Sequence, residues 1–530
     1  MVRWFTKFSV VLCALAAPAL ANPRTPPDTI DMAHGVRAAV WAAPGQFTEA
    51  DSGESPYIYL NRCIGGCQII GTGPGGVTDA RSQMTFIPPN PGNYTVTEFA
   101  NLFGQTSEMG GTCLGDMTTP CTSDTQCAGM TPTTCDTADY EWGLVVQCMK
   151  EVYSPYAVIL SDTPPTGGVS YTEAIIAGQP TDIGEPTNDL GIAPIACTPQ
   201  NNVISFSFAN HHAAQDHAYN VCWTAAQETA HAFSLDHEYS FIGAYDANQN
   251  SACMDPMTYR TDCGGEKFFR NATANCGTFT EAASCICGGT QNSHQKLLTV
   301  FPAGQSIIPP PTSMITFPAA NASVATNFPV DAMAGSRRGV EVVELWLNGY
   351  KWLSTPGSAF GGEGQPNPSN YTITTPSNLP DGYIDIVAKA YDDLNIETDS
   401  ATVTVLKGAP CTDDTTCLLG QMCGNGRCAW PTPTGQLGDK CDYPQFCVSG
   451  VCSGTSTDQI CTQNCTVGID EACPDKYECV PTSGTSGICF PGSSGGGCCS
   501  ADGAGAGWGH AGLAGIVLAG MLRRRRRPQR

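Results

Sequence analysis

Asn220-Val-Cys-Trp-Thr-Ala-Ala-Gln-Glu-Thr-Ala-His-Ala-Phe-Ser-Leu-Asp-His-Glu238 is the stretch on which the reading of this chain turns, because it carries the one long helical signal of the first 300 residues. Residues four apart on a helix share a face, so Gln227 and His231 point the same way and Glu228 stands beside them. Ser234 and His237 follow in steps of three. Two ligands at i and i+4 grip one metal from a single helix face, a Glu between them takes a proton from water, and a sharp turn swings a third ligand around to close the site.

That register is the one of HExxHxxGxxH, and the stretch resembles the zinc signature of the metzincin metallopeptidases, with Gln227 where the first His belongs and Ser234 where the Gly belongs. Further on, Cys253-Met-Asp-Pro-Met-Thr-Tyr259 resembles the Met-turn of that family. The resemblance implies an α/β metzincin-like domain over residues 22–304 that hydrolyses peptide bonds with zinc-activated water. Glu228 would be the general base, Tyr259 would steady the oxyanion, His231, His237 and Gln227 would hold zinc, and Met257 would lie beneath the metal. A neutral amide oxygen is a poorer zinc donor than an imidazole nitrogen, so metal affinity is expected to fall. Ser234 is expected at positive φ, at a cost of about 1 kcal/mol.

The same residues admit two other readings. One is a buried amphipathic helix whose histidines only satisfy hydrogen bonds. The other is a metzincin-derived domain without hydrolytic power, kept as an adhesion or binding module of the cell envelope. His211, His212 and His217 read as a polar loop facing water rather than as a second metal site.

Composition frames these readings. A chain of 530 residues accommodates about three domains. Asp and Glu number 48 against 25 Lys and Arg, and eight of the basic residues sit at the ends: Arg3, Lys7 and six Arg from 523 to 530. A nucleic-acid binder needs a basic footprint that this acidic body lacks. The metzincin resemblance implies a peptide or protein substrate as partner, and its inactive alternative a surface ligand. Of 29 Cys, 14 fall between Cys63 and Cys287 and 12 between Cys411 and Cys489. Even counts at that density belong to an oxidising compartment, and spacing alone leaves the pairing open.

The two ends agree with export. Residues 1–21 join basic Arg3 and Lys7 to an apolar run and small residues Ala19 and Ala21, as in a signal peptide. At the other end (494–530), a Gly-rich spacer, Cys498 and Cys499, a short hydrophobic helix and Arg523 to Arg527 resemble the MYXO-CTERM type of bacterial sorting tail. That likeness implies display on the cell envelope, processing near Cys498 or Cys499, and membrane contact through the tail. A plain single-span anchor is the other reading.

Between the ends the body divides where cysteine stops. Within the first region, Gly111 to Asp139 carries Cys113, Cys121, Cys127 and Cys135 and reads as a disulfide-stapled insertion. Residues 313–407 hold alternating runs, Val340 to Leu347, Tyr383 to Tyr391 and Ala401 to Leu406, with turns at Asn348-Gly349 and Asp381-Gly382; they predict an all-β immunoglobulin-like sandwich that resembles domains appended to secreted bacterial enzymes and adhesins. Residues 411–490 are too poor in large apolar side chains for an ordinary core. They resemble EGF-like or dickkopf-like knots and read as a small disulfide-rich stalk, with Cys grouped as four, three and five. Zinc ligation is the rival reading there, but thiolates are disfavoured outside the cytoplasm.

Overall fold

The computed structural model describes residues 36–41, 55–213, 216–239, 255–259, 266–277, 282–357, 368–455, 458–467, 472–484 and 486–491. The expected signal peptide, the tail with Cys498 and Cys499, and the start of the Met-x-Tyr segment lie outside these residues. Among the described residues no helix is long and apolar enough to cross a membrane. The chain is a multidomain, β-rich protein with few helices, and it separates into two compact units, residues 1–429 and 430–530.

In the first region the β-branched and aromatic runs become strands: β1 (Val36–Trp41), β2 (Tyr57–Asn61), β3 (Ile159–Ser161), β4 (Thr172–Ile176), β5 (Asp189–Ile195) and β6 (Ile204–Ser207). They form one six-stranded sheet in the order β3-β2-β4-β6-β5-β1. Strands β3, β2, β4 and β6 are mutually parallel, β5 runs antiparallel to β6, and β1 pairs in parallel with β5. Every residue of β4 and β6 is buried, which is what a sheet covered on both faces requires. The apolar run at Tyr156 to Leu160 enters the sheet only from Ile159, because the Tyr156 N–H is spent in a turn onto the Tyr153 carbonyl, 3.0 Å.

Helix α1 (Ala138–Tyr153) starts where Thr137 accepts a hydrogen bond from the Tyr140 N–H, with Asp139 and Glu141 in its first turn, where negative charge suits the exposed N–H groups. Helix α2 (His217–His231) packs on α1: Cys148 and Cys222 are disulfide-bonded, and the Tyr153 hydroxyl donates to the Ala226 carbonyl at 3.0 Å. From Val221 to His231 every residue of α2 is buried, so it is a central helix, hydrophobic or enclosed all round. His217 corrects an expectation. It faces the interior, with Nδ1 2.6 Å from Glu141 Oε2 and Nε2 donating to the Ala209 carbonyl, because the first turn of α2 is laid against α1.

The cysteines obey one rule within each group of four. In the insertion Cys113 pairs with Cys127 and Cys121 with Cys135. The same first-to-third, second-to-fourth pattern recurs at Cys411–Cys423 and Cys417–Cys428, at Cys441–Cys452 and Cys447–Cys461, and at Cys465–Cys479 and Cys473–Cys489. The grouping is thus four, four and four, not four, three and five. Short antiparallel strands set it, for example by placing Cys423 opposite Cys428. Every described cysteine is disulfide-bonded.

The sandwich comprises β7 (Thr312–Phe317), β8 (Ser323–Val324), β9 (Pro329–Gly335), β10 (Val342–Leu347), β11 (Tyr350–Pro356), β12 (Ser369–Thr374), β13 (Gly382–Tyr391), β14 (Glu397–Asp399) and β15 (Val403–Lys407). One sheet has the order β7-β9-β12 and the other β8-β15-β13-β10-β11, with β14 on β13. Val330, Ala332, Val343, Leu345, Ile384 and Ile386 fill the space between them. Asn348 and Gly349, at φ 49° and 81°, make the two-residue hairpin between β10 and β11, where both central residues need positive φ.

The sandwich is fastened to the first region by buried charge. Arg338 donates from Nε and Nη2 to the two oxygens of Asp393, 2.8 and 2.9 Å, and its Nη2 also reaches the Phe269 carbonyl. Asp393 additionally accepts from the Asn271 N–H and lies 3.4 Å from Arg270.

Candidate functional site

The last turn of α2 carries Gln227, Glu228 and His231, all without solvent exposure. The helix stops because Ser234 takes φ +68°. The Leu235 N–H returns to the Ala230 carbonyl and the Ser234 N–H to the His231 carbonyl, a Schellman ending in which a serine occupies the usual glycine position.

This reversal brings His237 back over the helix. Its Nε2 lies 3.0 Å from Nε2 of His231, with the rings edge-on at 85°. His231 Nδ1 is 2.7 Å from the Leu235 carbonyl, which can only accept, so Nδ1 holds the proton and Nε2 is the bare nitrogen. Burial drives the His231 pKa down to about 4, leaving the ring neutral in ordinary conditions.

The loop that carries His237 is braced from below. Asp236 accepts from the His237 and Ile286 N–H groups, both at 2.8 Å, while its backbone exchanges two hydrogen bonds with the Gln291 side chain. Cys197–Cys287 and Cys276–Cys285 hold the same neighbourhood.

The Met-x-Tyr segment pairs with the residue after His237. The Glu238 N–H donates to the Met257 carbonyl at 2.9 Å, and Glu238 bridges Thr258 in parallel. Met257 is fully buried in the core that also contains Ala230, Phe233 and Leu235. Asp255 ties this turn down, accepting from the Met257 N–H and from the Arg270 N–H. Tyr259 is brought to His237, its hydroxyl 3.0 Å from Nδ1. Burial, then the Asp255 carboxylate, pushes the Glu238 carboxyl well above its ordinary range, and burial lifts Asp255 to about 6.

Glu228 faces the sheet. A Cβ built on Gly191 of β5 would lie 2.7 Å from both Cγ and Oε1 of Glu228, so only glycine leaves room for the carboxylate there. Gly191 and Gln291 carry no local motif and sequence reasoning missed both; Asp236, noted as the neighbour of His237, and Asp255, within the Met-turn-like stretch, were not read as braces. Gln227 lies one turn before His231 on the same face, as its spacing demands.

Two nitrogens each about 2.0–2.1 Å from a tetrahedral zinc stand about 3.3 Å apart, so the His231–His237 separation suits one shared cation. The donors the structure brings together there are the two imidazole nitrogens; Gln227 stands one helical turn before His231. The arrangement also closes without metal, as Tyr259 to His237, His237 to His231 and His231 to Leu235. Elsewhere among the described residues, the converging groups of three or more His, Cys, Asp or Glu consist of disulfide cysteines, joined in one case by Asp236, so they offer no thiolate set.

No protein-family model matches the chain, and no curated protein matches it. Among solved structures it is similar to the fibronectin(III)-like modules of CbhA from Clostridium thermocellum, at 18% identity over 18% of this chain and 95% of that one, with a TM-score of 0.14. It is also similar to a lytic polysaccharide monooxygenase of Jonesia denitrificans, at 17% identity over 18% of this chain and 60% of that one, again with a TM-score of 0.14. At that score neither likeness carries an argument.

Proposed function

We propose that residues 22–304 form a metzincin-like zinc metalloendopeptidase domain of an exported protein displayed at a bacterial cell envelope. On this reading the sandwich and the four-cysteine units act as spacer and stalk above the sorting tail. The observation that carries it is the approach of His231 Nε2 to His237 Nε2 beside Glu228 on the same helix turn. Zinc held by His231, His237 and Gln227 would supply Lewis acidity and lower the pKa of water. Glu228, enclosed between α2 and Gly191, takes the proton from the attacking water and passes it to the leaving amine. The Tyr259 hydroxyl, positioned by His237, donates toward the oxyanion.

Metal analysis and a cleavage assay on the exported chain test this reading. The expected result is close to one zinc per chain and chelator-sensitive cleavage of an unfolded protein, with Glu228→Gln abolishing cleavage while zinc stays bound. Folded protein that holds no zinc and cleaves nothing overturns it. The metal-free hydrogen-bond chain from Tyr259 to Leu235 favours the second reading in that event, an inactive binding module of the envelope.

A further inference from the structure

Segment 266–271 is held from two sides. From the sandwich, Arg337 donates to the Glu266 carboxylate and Arg338 to the Phe269 carbonyl, while Asp393 accepts from the Asn271 N–H at 3.1 Å and lies 3.4 Å from Arg270. From the other side, the Lys267 ammonium donates to the Thr258 carbonyl at 2.8 Å and the Arg270 N–H to the Asp255 carboxylate at 2.7 Å. The segment is thus a strap between the sandwich and the Met-x-Tyr turn. Lys267, Arg270, Arg338 and Asp393 are all buried, so water competes little for these bonds. The two sandwich loops that reach the strap lie at one end of the domain, because Val342 at the start of β10 pairs with Tyr391 at the end of β13. A charge cluster that only glued two domains would end at their boundary. This one continues through Arg270, whose side chain serves Asp393 and the Arg338 carbonyl while its N–H serves Asp255. The turn held in this way is the one that reaches the histidines, with the Met257 carbonyl on the Glu238 N–H and the Tyr259 hydroxyl on His237.

We infer that the sandwich is a working part of the candidate site and that Asp393 is a positioning residue for it. Asp393, with Arg337 and Arg338, fixes segment 266–271, and that segment fixes Tyr259 against His237. The sandwich then does more than space the first region from the envelope. The inference deepens the peptidase reading and rests on it for turnover; the placement of Tyr259 stands apart from any metal. Its physical content is pre-organisation: a hydroxyl that must meet an oxyanion helps only if the backbone behind it is held still.

The test uses the full chain in three altered forms. Asp393→Asn removes the charge that faces Arg270 and Arg338. Arg337→Gln releases Glu266 and Glu151 at a partly exposed side chain, so it decides the matter alone should Asp393→Asn fail to fold. Val405→Ala is the control: it opens the sandwich core beside Ile384, at the far end of β13, and costs stability without touching the strap. The measurements are amide hydrogen exchange at Glu238, Met257 and Arg270, zinc affinity, and kcat and KM for an unfolded protein. Expected are exchange at the three amides faster by about tenfold in Asp393→Asn and about threefold in Arg337→Gln, and kcat lower in step, with KM and zinc affinity unchanged. If the amides and kcat respond to these two no more than to Val405→Ala, the cluster is glue alone and the inference falls. Loosened amides with unchanged zinc-dependent kcat also sink it and leave the peptidase reading intact. Loosened amides in a chain that, unaltered, holds no zinc and cleaves nothing end the peptidase reading and keep Asp393 as the residue that places Tyr259.

Discussion

His231 and His237 present their Nε2 atoms to each other across 3.0 Å, although six residues and a reversal of chain direction separate them. The serine at φ +68° makes that meeting possible, and the Leu235 carbonyl fixes which nitrogen of His231 is bare. On the peptidase reading, a third strong donor is what a zinc ion held by this pair would need.

Replacing Gln227 by His supplies it. Gln227→His is expected to tighten zinc binding by tenfold or more, which is about 1.4 kcal/mol per decade. Competition against a chromophoric chelator reads the gain directly. An unchanged affinity would mean that this face of α2 does not meet a cation held, as proposed, by the two histidines.

Gly191→Ala tests the seat of Glu228. The added methyl carbon would lie 2.7 Å from both Cγ and Oε1 of the buried Glu228, so the whole Glu228 side chain must shift. On the peptidase reading, turnover should fall about a hundredfold, the usual cost of an ångström-scale misplacement, and by more than the loss of stability accounts for. Equal losses of stability and turnover would instead mark Gly191 as a packing residue.

Ser234 holds a conformation that L-residues with a Cβ adopt at a cost of about 1–2 kcal/mol. Ser234→Gly is expected to stabilise the chain by about 0.5–1 kcal/mol once the greater freedom of glycine in the unfolded state is deducted. Ser234→Val should destabilise it, because a β-branched residue tolerates this region least. Urea midpoints of the two variants should move in opposite directions.

The Asp393 cluster sets an acid limit. Burial would raise the Asp393 carboxyl, but Arg270 and Arg338 outweigh it and hold the pKa at about 2 against an ordinary 3.8. A depressed folded-state pKa contributes stability that is complete above the unfolded value and is lost as pH falls through the folded one. The chain should therefore weaken by on the order of 2 kcal/mol between pH 4 and pH 2. Asp393→Asn should flatten that limb and cost about 3–5 kcal/mol at pH 7, since two buried guanidinium groups lose their counter-charge. Urea titrations at several pH values separate the two effects.

Much of the fold was legible because its signals are local. Alternation along Tyr383 to Tyr391 reports a strand with one face buried, Asn348-Gly349 reports a hairpin, and the gap in cysteine reports a domain of another construction. The candidate site was legible for the same reason: Gln227, Glu228 and His231 share a helix face by spacing alone, and Ser234 and His237 follow within one turn. His217 was misjudged because its environment is decided by Glu141, 76 residues away in sequence.

What the amino-acid order determined by itself is the periodic and the near: elements, turns, a pairable number of cysteines and one face of α2. Only the tertiary structure decided which cysteines join, that α2 is buried all round, that Glu228 rests on Gly191, and that residues 36–41 lie along β5. The reason is physical. Helix and strand spacing are fixed by backbone geometry within a few residues, whereas the partner of a side chain or a strand edge is chosen by packing between segments far apart in the chain.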